Sequence, residues 1–295
     1  MQVTVSFTFD LPASGNVDVD IVEPIILNAG RQAMASALQA SCREYEVMVS
    51  ECPRCASTLL QNEGSDRRVV QCSFGRAELY LHLLRCENCG KRFRPAEAFV
   101  ACLEGGNVSA KLRDACILAG ASWPYATASK VLADLCGASI SSESVRNLTN
   151  VAGASEAQEQ MASAERIVAP SGADIRAQRE ATLTEPLAEG STPDLLLVGL
   201  DGGWVPSREG KGGMEGKVGV VATEIQDIGR GRRRLSRRRY VATFGDSERL
   251  GVLAYAAASE LGGEEAKRQQ VLGDGAGWIK TQAHIFAFIN RPGGK

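Results

Sequence analysis

The sequence predicts an α+β multidomain chain, on three observations. Two Cys-x-x-C pairs, thirty residues apart, flank alternating strand residues. Three segments with helical spacing follow. The remainder alternates apolar strands with one amphipathic helix.

Composition sets the frame. With 44 % apolar and 23 % charged residues in 295, wholesale disorder is excluded. A net charge of -2 gives no global pull toward nucleic acid, so such attraction has to come from local clusters. No apolar run is long enough to span a bilayer, and the N-terminus lacks the basic start and apolar core of a signal peptide. The expected address is cytoplasmic, with no membrane partner. There, nine cysteines point to metal ligands or buried thiols before disulfides.

Composition also divides the chain. Residues 1–107 form an N-terminal region holding a ribbon at about 50–95, and 108–153 a helical module. Residues 154–192, rich in Ala, Glu, Gln and Ser and punctuated by Pro170 and Pro186, read as a helical linker, and 193–295 as a strand-rich domain. Val3, Val5, Phe7 and Phe9 alternate as a strand, and a helix is expected around Ile25–Val49. Cys52, Cys55, Cys86 and Cys89 then form two knuckles whose thiolates complete a tetrahedral site for structural zinc. Between them, Arg67–Gln71 and Glu78–Leu84 read as strands joined at Phe74-Gly75. His82 reads as a satisfied, partly exposed histidine rather than a ligand. Arg54, Arg85, Lys91, Arg92 and Arg94 crowd the knuckles and suit phosphate contacts. Cys116 and Cys136 lie on apolar helix faces as small core residues.

In the helical module, Leu112, Cys116 and Ala119 share one face. Pro124 opens a second helix that Gly137 ends, and Ser141 or Ser142 caps a third whose inner face is Val145, Leu148 and Ala152. This is a helix-turn-helix layout. The third helix offers Arg146, Asn147 and Asn150 outward, side chains able to read base edges or grip phosphate.

In the last region, Asp194–Leu200 is an apolar run expected to be buried on both faces of a sheet, with Asp201 at its end. Strands over Lys217–Glu224 and Arg239–Phe244, a helix capped by Ser247, and a strand over Gln269–Gly273 ending at Asp274 complete it. A helical crossover makes the fourth strand parallel to its partner, so it can lie beside the first and bring Asp201 and Asp274 together. Two such carboxylates suit magnesium or manganese, which can drive phosphodiester chemistry. Arg230, Arg232, Arg233, Arg234, Arg237, Arg238 and Arg239 form a basic run between the second and third strands, expected near that carboxylate edge and suited to a phosphate backbone.

The ribbon through Phe93, residues 112–151, Val198-Gly199-Leu200-Asp201-Gly202-Gly203 and Val271-Leu272-Gly273-Asp274-Gly275-Ala276-Gly277-Trp278-Ile279 together resemble the bacterial insertion-sequence transposases of the Kra type. The resemblance implies a ribonuclease-H-like catalytic domain, with Asp201 and Asp274 as the first two acids of an Asp-Asp-Glu triad. It further implies double-stranded DNA (element ends and target) as partner, metal-dependent strand cleavage and transfer, an oligomeric state left open, and nucleoid association. No acid follows Asp274 in the 21 residues to Lys295. The expectation is a C-terminally truncated member with little catalysis, or a DNA-binding repressor derived from such an enzyme. Glu248, in the first turn of the expected helix, is the one other acid considered. A Glu there more often serves the helix dipole.

Overall fold

A computed structural model of the chain describes residues 3–11, 18–103, 106–168, 193–206, 213–263 and 266–287. They are mixed α+β and fall into two compact units, Met1–Gly153 and Ala154–Lys295.

In the first unit the expected N-terminal strand is absent. Residues 3–11 find no ladder, and Phe7 and Phe9 stay exposed. Helix α1 (Val19–Met48) starts where the Asp18 carboxylate accepts the Ile21 N–H. It lies against a hairpin of β1 (Leu60–Cys72) and β2 (Gly75–Cys86), whose two-residue loop fixes the register from Cys72↔Gly75 to Ser65↔His82. An irregularity between Asn62 and Ser65 then shifts it by one residue, so that Leu60 pairs with Cys86. A short β3 (Arg92–Phe93) pairs with Leu84 and Arg85. At the loop end, Val70, Cys72, Leu79 and Leu81 bury against Cys42 of α1 and against Ala96, Val100 and Leu103 around helix α2 (Glu97–Val100).

The edge of β2 is completed by α1. Gln39 Oε1 accepts the Tyr80 N–H, Glu46 Oε1 accepts the His82 N–H, and Glu46 Oε2 lies 2.6 Å from His82 Nδ1. His82 is therefore satisfied, as its sequence context implied, and takes no part in the cysteine cluster.

Three helices pack behind this hairpin. They are α3 (Ala110–Ser122), capped by Ser109, α4 (Tyr125–Cys136) and α5 (Ser142–Val168), capped by Ser141. Gly137 ends α4 in the left-handed region at φ 64°. Arg31 of α1 reaches that end, donating to the carbonyls of Asp134 and Leu135. Leu112, Cys116, Leu132 and Val145 form the core. The turn between α4 and α5 is fastened by Ser129 Oγ donating to the Ile140 carbonyl at 2.6 Å. Gly120 lets α3 and α5 meet, because a Cβ there would lie 2.1 Å from Thr149 Oγ1.

In the second unit, β4 (Leu195–Pro206), β5 (Gly213–Ala222), β8 (Arg238–Thr243) and β9 (Arg268–Leu272) form a sheet of order β8-β5-β4-β9. A small hairpin, β6 (Ile225–Asp227) with β7 (Arg233–Leu235), interrupts the connection from β5 to β8. Helix α6 (Ser247–Glu260) is the crossover that makes β9 parallel to β4. Its cap is Asp246 rather than Ser247. Helix α7 (Gly277–Ala287) follows.

Strand β4 is central, as its apolarity predicted, but buried on one face only. Leu196, Val198 and Leu200 pack with Val221 and Val241 against Leu250, Ala254, Ala257 and Leu261, and Ala164 of α5 joins that cluster. The other face carries Val218, Tyr240 and Leu272, which are exposed. Of the expected linker, residues to Val168 are helix and 169–192 lie outside the described residues.

Candidate functional site

Three groups of residues carry the chemistry. The first is the cysteine cluster. The hairpin register sets Cys86 opposite Leu60, beside the loop that carries Cys52 and Cys55. Each knuckle closes by the same bonds: Ala56 N–H to the Cys52 carbonyl, and Gly90 N–H to the Cys86 carbonyl, both at 2.9 Å. Ala56 and Gly90 sit at positive φ, 54° and 70°, which is why small residues follow the second cysteine of each pair.

The sulfurs of Cys52 and Cys89, and of Cys55 and Cys86, are 3.6 Å apart, and all four lie within 4.8 Å of one another. Ligands at the zinc–sulfur distance on a tetrahedron stand about 3.8 Å apart, so the cluster is sized to hold a metal ion such as zinc. Donors already point at the sulfurs, with Arg54 N–H on Cys52 at 3.4 Å and Asn88 Nδ2 on Cys55 at 3.6 Å. The Cys89 backbone N–H pulls the Cys86 thiol down to about 6 against the effect of burial. Burial instead pushes Cys42 and Cys116 up to about 11, which fits small, inert core residues. With four protein ligands, such a site has no position open for substrate.

The basic rim of the ribbon is largely spent on acids. Arg92 lies 2.7 Å and Arg85 3.7 Å from Glu63, and Arg94 pairs with Asp66. Among the described residues only Arg54 and Lys91 of that rim have no ion pair.

The second group is the carboxylate pair. Strands β4 and β9 pair in parallel from Leu195↔Arg268 to Gly199↔Leu272, so Asp201 and Asp274 fall at the same level two residues beyond the last pair. Both line one open depression of about 500 Å³, floored by Gly199, Gly219 and Val220 and flanked by Tyr240 and Leu272. Asp201 alternates with buried Leu200 and so faces the side that α6 does not cover. Its Oδ1 accepts the Gly202 N–H at 2.8 Å, and Asp274 Oδ1 accepts the Ala276 N–H at 2.9 Å. Neither carboxylate has a cationic partner among the described residues. Glu248 sits on α6, which covers the opposite face, and does not line the depression.

Sequence reasoning missed what lies on that opposite face. Lys217, 8 % exposed, donates to Glu215 Oε2 at 2.8 Å and to the Gly245 carbonyl at 3.3 Å, and its Nζ stands 5.9 Å from the Trp278 ring. A Cβ on Gly202 would meet Glu215 and Trp278 at 3.1 and 3.2 Å, so the glycine after Asp201 makes room for this group. The signal was available: Lys217, Gly219 and Val221 share one face by strand alternation, and Val221 points inward.

The third group is basic. On α5, Arg146 is paired with Glu143 at 2.7 Å, and Asn150 Oδ1 accepts from the Tyr125 hydroxyl at 3.3 Å. Asn147 is exposed. Of the arginine run, Arg232, Arg233 and Arg234 are exposed on the β6–β7 hairpin, while Arg237 and Arg238 are half-buried at its base. The expected proximity of this run to the carboxylates is corrected by the register. Strand β5 returns antiparallel to β4, pairing Val218 with Asp201 and Ala222 with Leu197, so the hairpin leaves from the other end of the sheet. Ten strand steps, roughly 30 Å, separate its tip from Asp201.

Among the described residues, no helix is long and apolar enough to cross a membrane. No protein-family model matches the chain, and no curated protein matches it significantly.

Proposed function

We propose that the chain is a DNA-binding protein of the Kra-type transposase class. Its cysteine cluster holds structural zinc, and its three-helix module, with Asn147 and Arg146 outward, contacts double-stranded DNA. Asp201 and Asp274, in a ribonuclease-H-like domain, hold magnesium or manganese. The observation that carries this reading is the parallel register that brings those two aspartates to one level on one depression.

Each aspartate keeps one oxygen engaged by a backbone N–H, which fixes the carboxylate and leaves its second oxygen for a hard cation. A divalent ion bound there supplies activation of a water or 3′-hydroxyl and stabilisation of the leaving oxygen of a phosphodiester. Asp201 and Asp274 would hold that ion on the exposed side of the sheet, in the depression they both line. Among the described residues no third carboxylate lines the depression, so strand cleavage and transfer are expected to be weak. That same observation favours a second reading, a DNA-binding repressor derived from a transposase.

A cleavage assay on labelled duplex DNA with magnesium or manganese, run beside a binding titration over salt, tests both. Metal-dependent cutting that Asp201→Asn and Asp274→Asn each abolish supports the enzyme reading. Salt-sensitive binding without cutting supports the repressor. Failure to bind any duplex refutes both.

A further inference from the structure

We infer that the β6–β7 hairpin is a recognition arm that enters the major groove of double-stranded DNA and reads base edges with Gln226, Arg232 and Arg234. The inference rests on the reading that the chain binds duplex DNA, and adds how and with which element.

The arm prolongs two strands of the sheet beyond its edge. The ladder of β5 and β8 continues past Ala222↔Arg238 through Thr223 N–H to the Arg237 carbonyl and Ser236 N–H to the Glu224 carbonyl. It then runs through Ile225↔Leu235, Gln226↔Arg234 and Asp227↔Arg233, and Ile228 N–H donates to the Arg232 carbonyl at 3.0 Å near the tip. Gly229, Arg230 and Gly231 turn the chain at positive φ. Every residue from Glu224 to Arg234 is exposed. An ordered two-stranded ribbon with both faces in water is costly to maintain for stability alone.

Its side chains are those that read the major groove. Gln226 and Arg234 are direct cross-strand partners and point the same way, and Arg232, two residues before Arg234, shares that face. Arginine bonds guanine and glutamine bonds adenine by two-point contacts at the major-groove edge, and exposed Ile228 suits a thymine methyl. A strand advances about 6.8 Å in two residues, twice the rise of about 3.4 Å per base pair, so Arg232 and Arg234 are spaced for bases two steps apart. Arg230 at the tip and Arg233 on the other face are left for phosphates. None of these four arginines has an ion pair among the described residues, whereas Arg146 of the helical module does. A two-stranded ribbon enters a major groove about 12 Å wide and is too broad for a minor groove of about 6 Å.

The test titrates the full chain against a labelled mixed-sequence DNA duplex, the same duplex with glucosylated hydroxymethylcytosines filling the major groove, and an RNA duplex of equal length. The A-form major groove is too deep and narrow for side chains to read. Expected is binding to plain DNA at least about ten-fold tighter than to either other duplex, with that preference lost in Arg232→Ala/Arg234→Ala. Both side chains are outside the core, so melting temperature should be unchanged. Arg232→Lys/Arg234→Lys should keep the salt dependence of binding and lose sequence preference in a selection from random duplexes. Equal affinity for plain and glucosylated DNA overturns the inference in favour of phosphate contact alone. Full retention of binding by the arm variant, with loss in Arg146→Ala/Asn147→Ala, assigns recognition to α5 and also overturns it. Equal binding of RNA overturns groove reading, and no binding to any duplex removes the premise itself.

Discussion

If the cysteine cluster holds zinc as proposed, removing that ion should unravel one half of the ribbon and spare the other. At the loop end Val70, Leu79 and Leu81 are almost fully buried. At about 1.5–3 kcal/mol for each such side chain, they contribute roughly 5–9 kcal/mol before chain entropy is charged. At the knuckle end residues 61–67 are exposed and Leu60, Leu83 and Leu84 only partly buried, so little apolar burial holds Cys52–Cys55 beside Cys86–Cys89. Under the proposed function the ligand set would close that end, since metal binding to four thiolates is worth on the order of 10 kcal/mol of folding free energy. Hydrogen exchange after treatment with a strong chelator, or in Cys86→Ser, should show protection falling by at least about a hundred-fold at residues 52–62 and 84–93. Residues 70–81 should keep theirs. Elemental analysis should find about one zinc per chain before chelation and none after. Unchanged protection throughout would falsify the dependence on metal. Simultaneous loss at Leu79 and Leu81 would show that the two ends are not separable, and the partition argued from burial would be wrong.

Two further substitutions probe the packing beneath the other groups. Gly120→Ala places a methyl 2.1 Å from Thr149 Oγ1 and 3.0 Å from Val145, so despite a better helix former it should lower stability by about 1–3 kcal/mol. Urea denaturation read in the first unit decides this, and a stabilised variant would mean that α3 and α5 are not in contact. Glu215→Ala leaves the buried ammonium of Lys217 without its carboxylate and should cost about 3 kcal/mol, whereas Lys217→Met with Glu215→Gln should recover most of that. Equal losses in the single and double variants would argue against the ion pair as the cause.

Local chemistry made most of the elements legible. Pro124 and Gly137 bracket α4 as their backbone preferences require, and Phe74-Gly75 marks the hairpin loop. Spacing alone was enough for the cysteine cluster, because Cys-x-x-C fixes a knuckle whatever surrounds it. The level of Asp201 and Asp274 followed from handed crossover logic, since a helix between β8 and β9 leaves little choice of strand direction. What failed depended on partners distant in sequence. Residues 3–9 have a strand's pattern but no ladder to join, and periodicity cannot report whether a neighbour exists. The ribbon arginines look free until the register shows Glu63 and Asp66 beside them. The end of the sheet from which the arginine arm leaves depends on counting strand reversals. The burial of Lys217 was not read from the sequence, because the indole beside it comes from Trp278, some sixty residues on.

The parallel pairing of β4 with β9 has a consequence for the order of events during folding. Strands β4, β5 and β8 are joined by successive antiparallel connections and can zip together from local encounters. The Leu195↔Arg268 pair instead closes a loop of more than seventy residues and has to wait for α6 to dock. Non-local pairing of this kind is slow because loop entropy is lost before any contact repays it. The arginine arm is therefore expected to be in place early, as part of the first meander, and the two aspartates to meet only in the final step. A chain arrested before that step would carry the arginine arm without the paired aspartates, so under the proposed function the element that contacts DNA would form before the edge that would hold a metal ion.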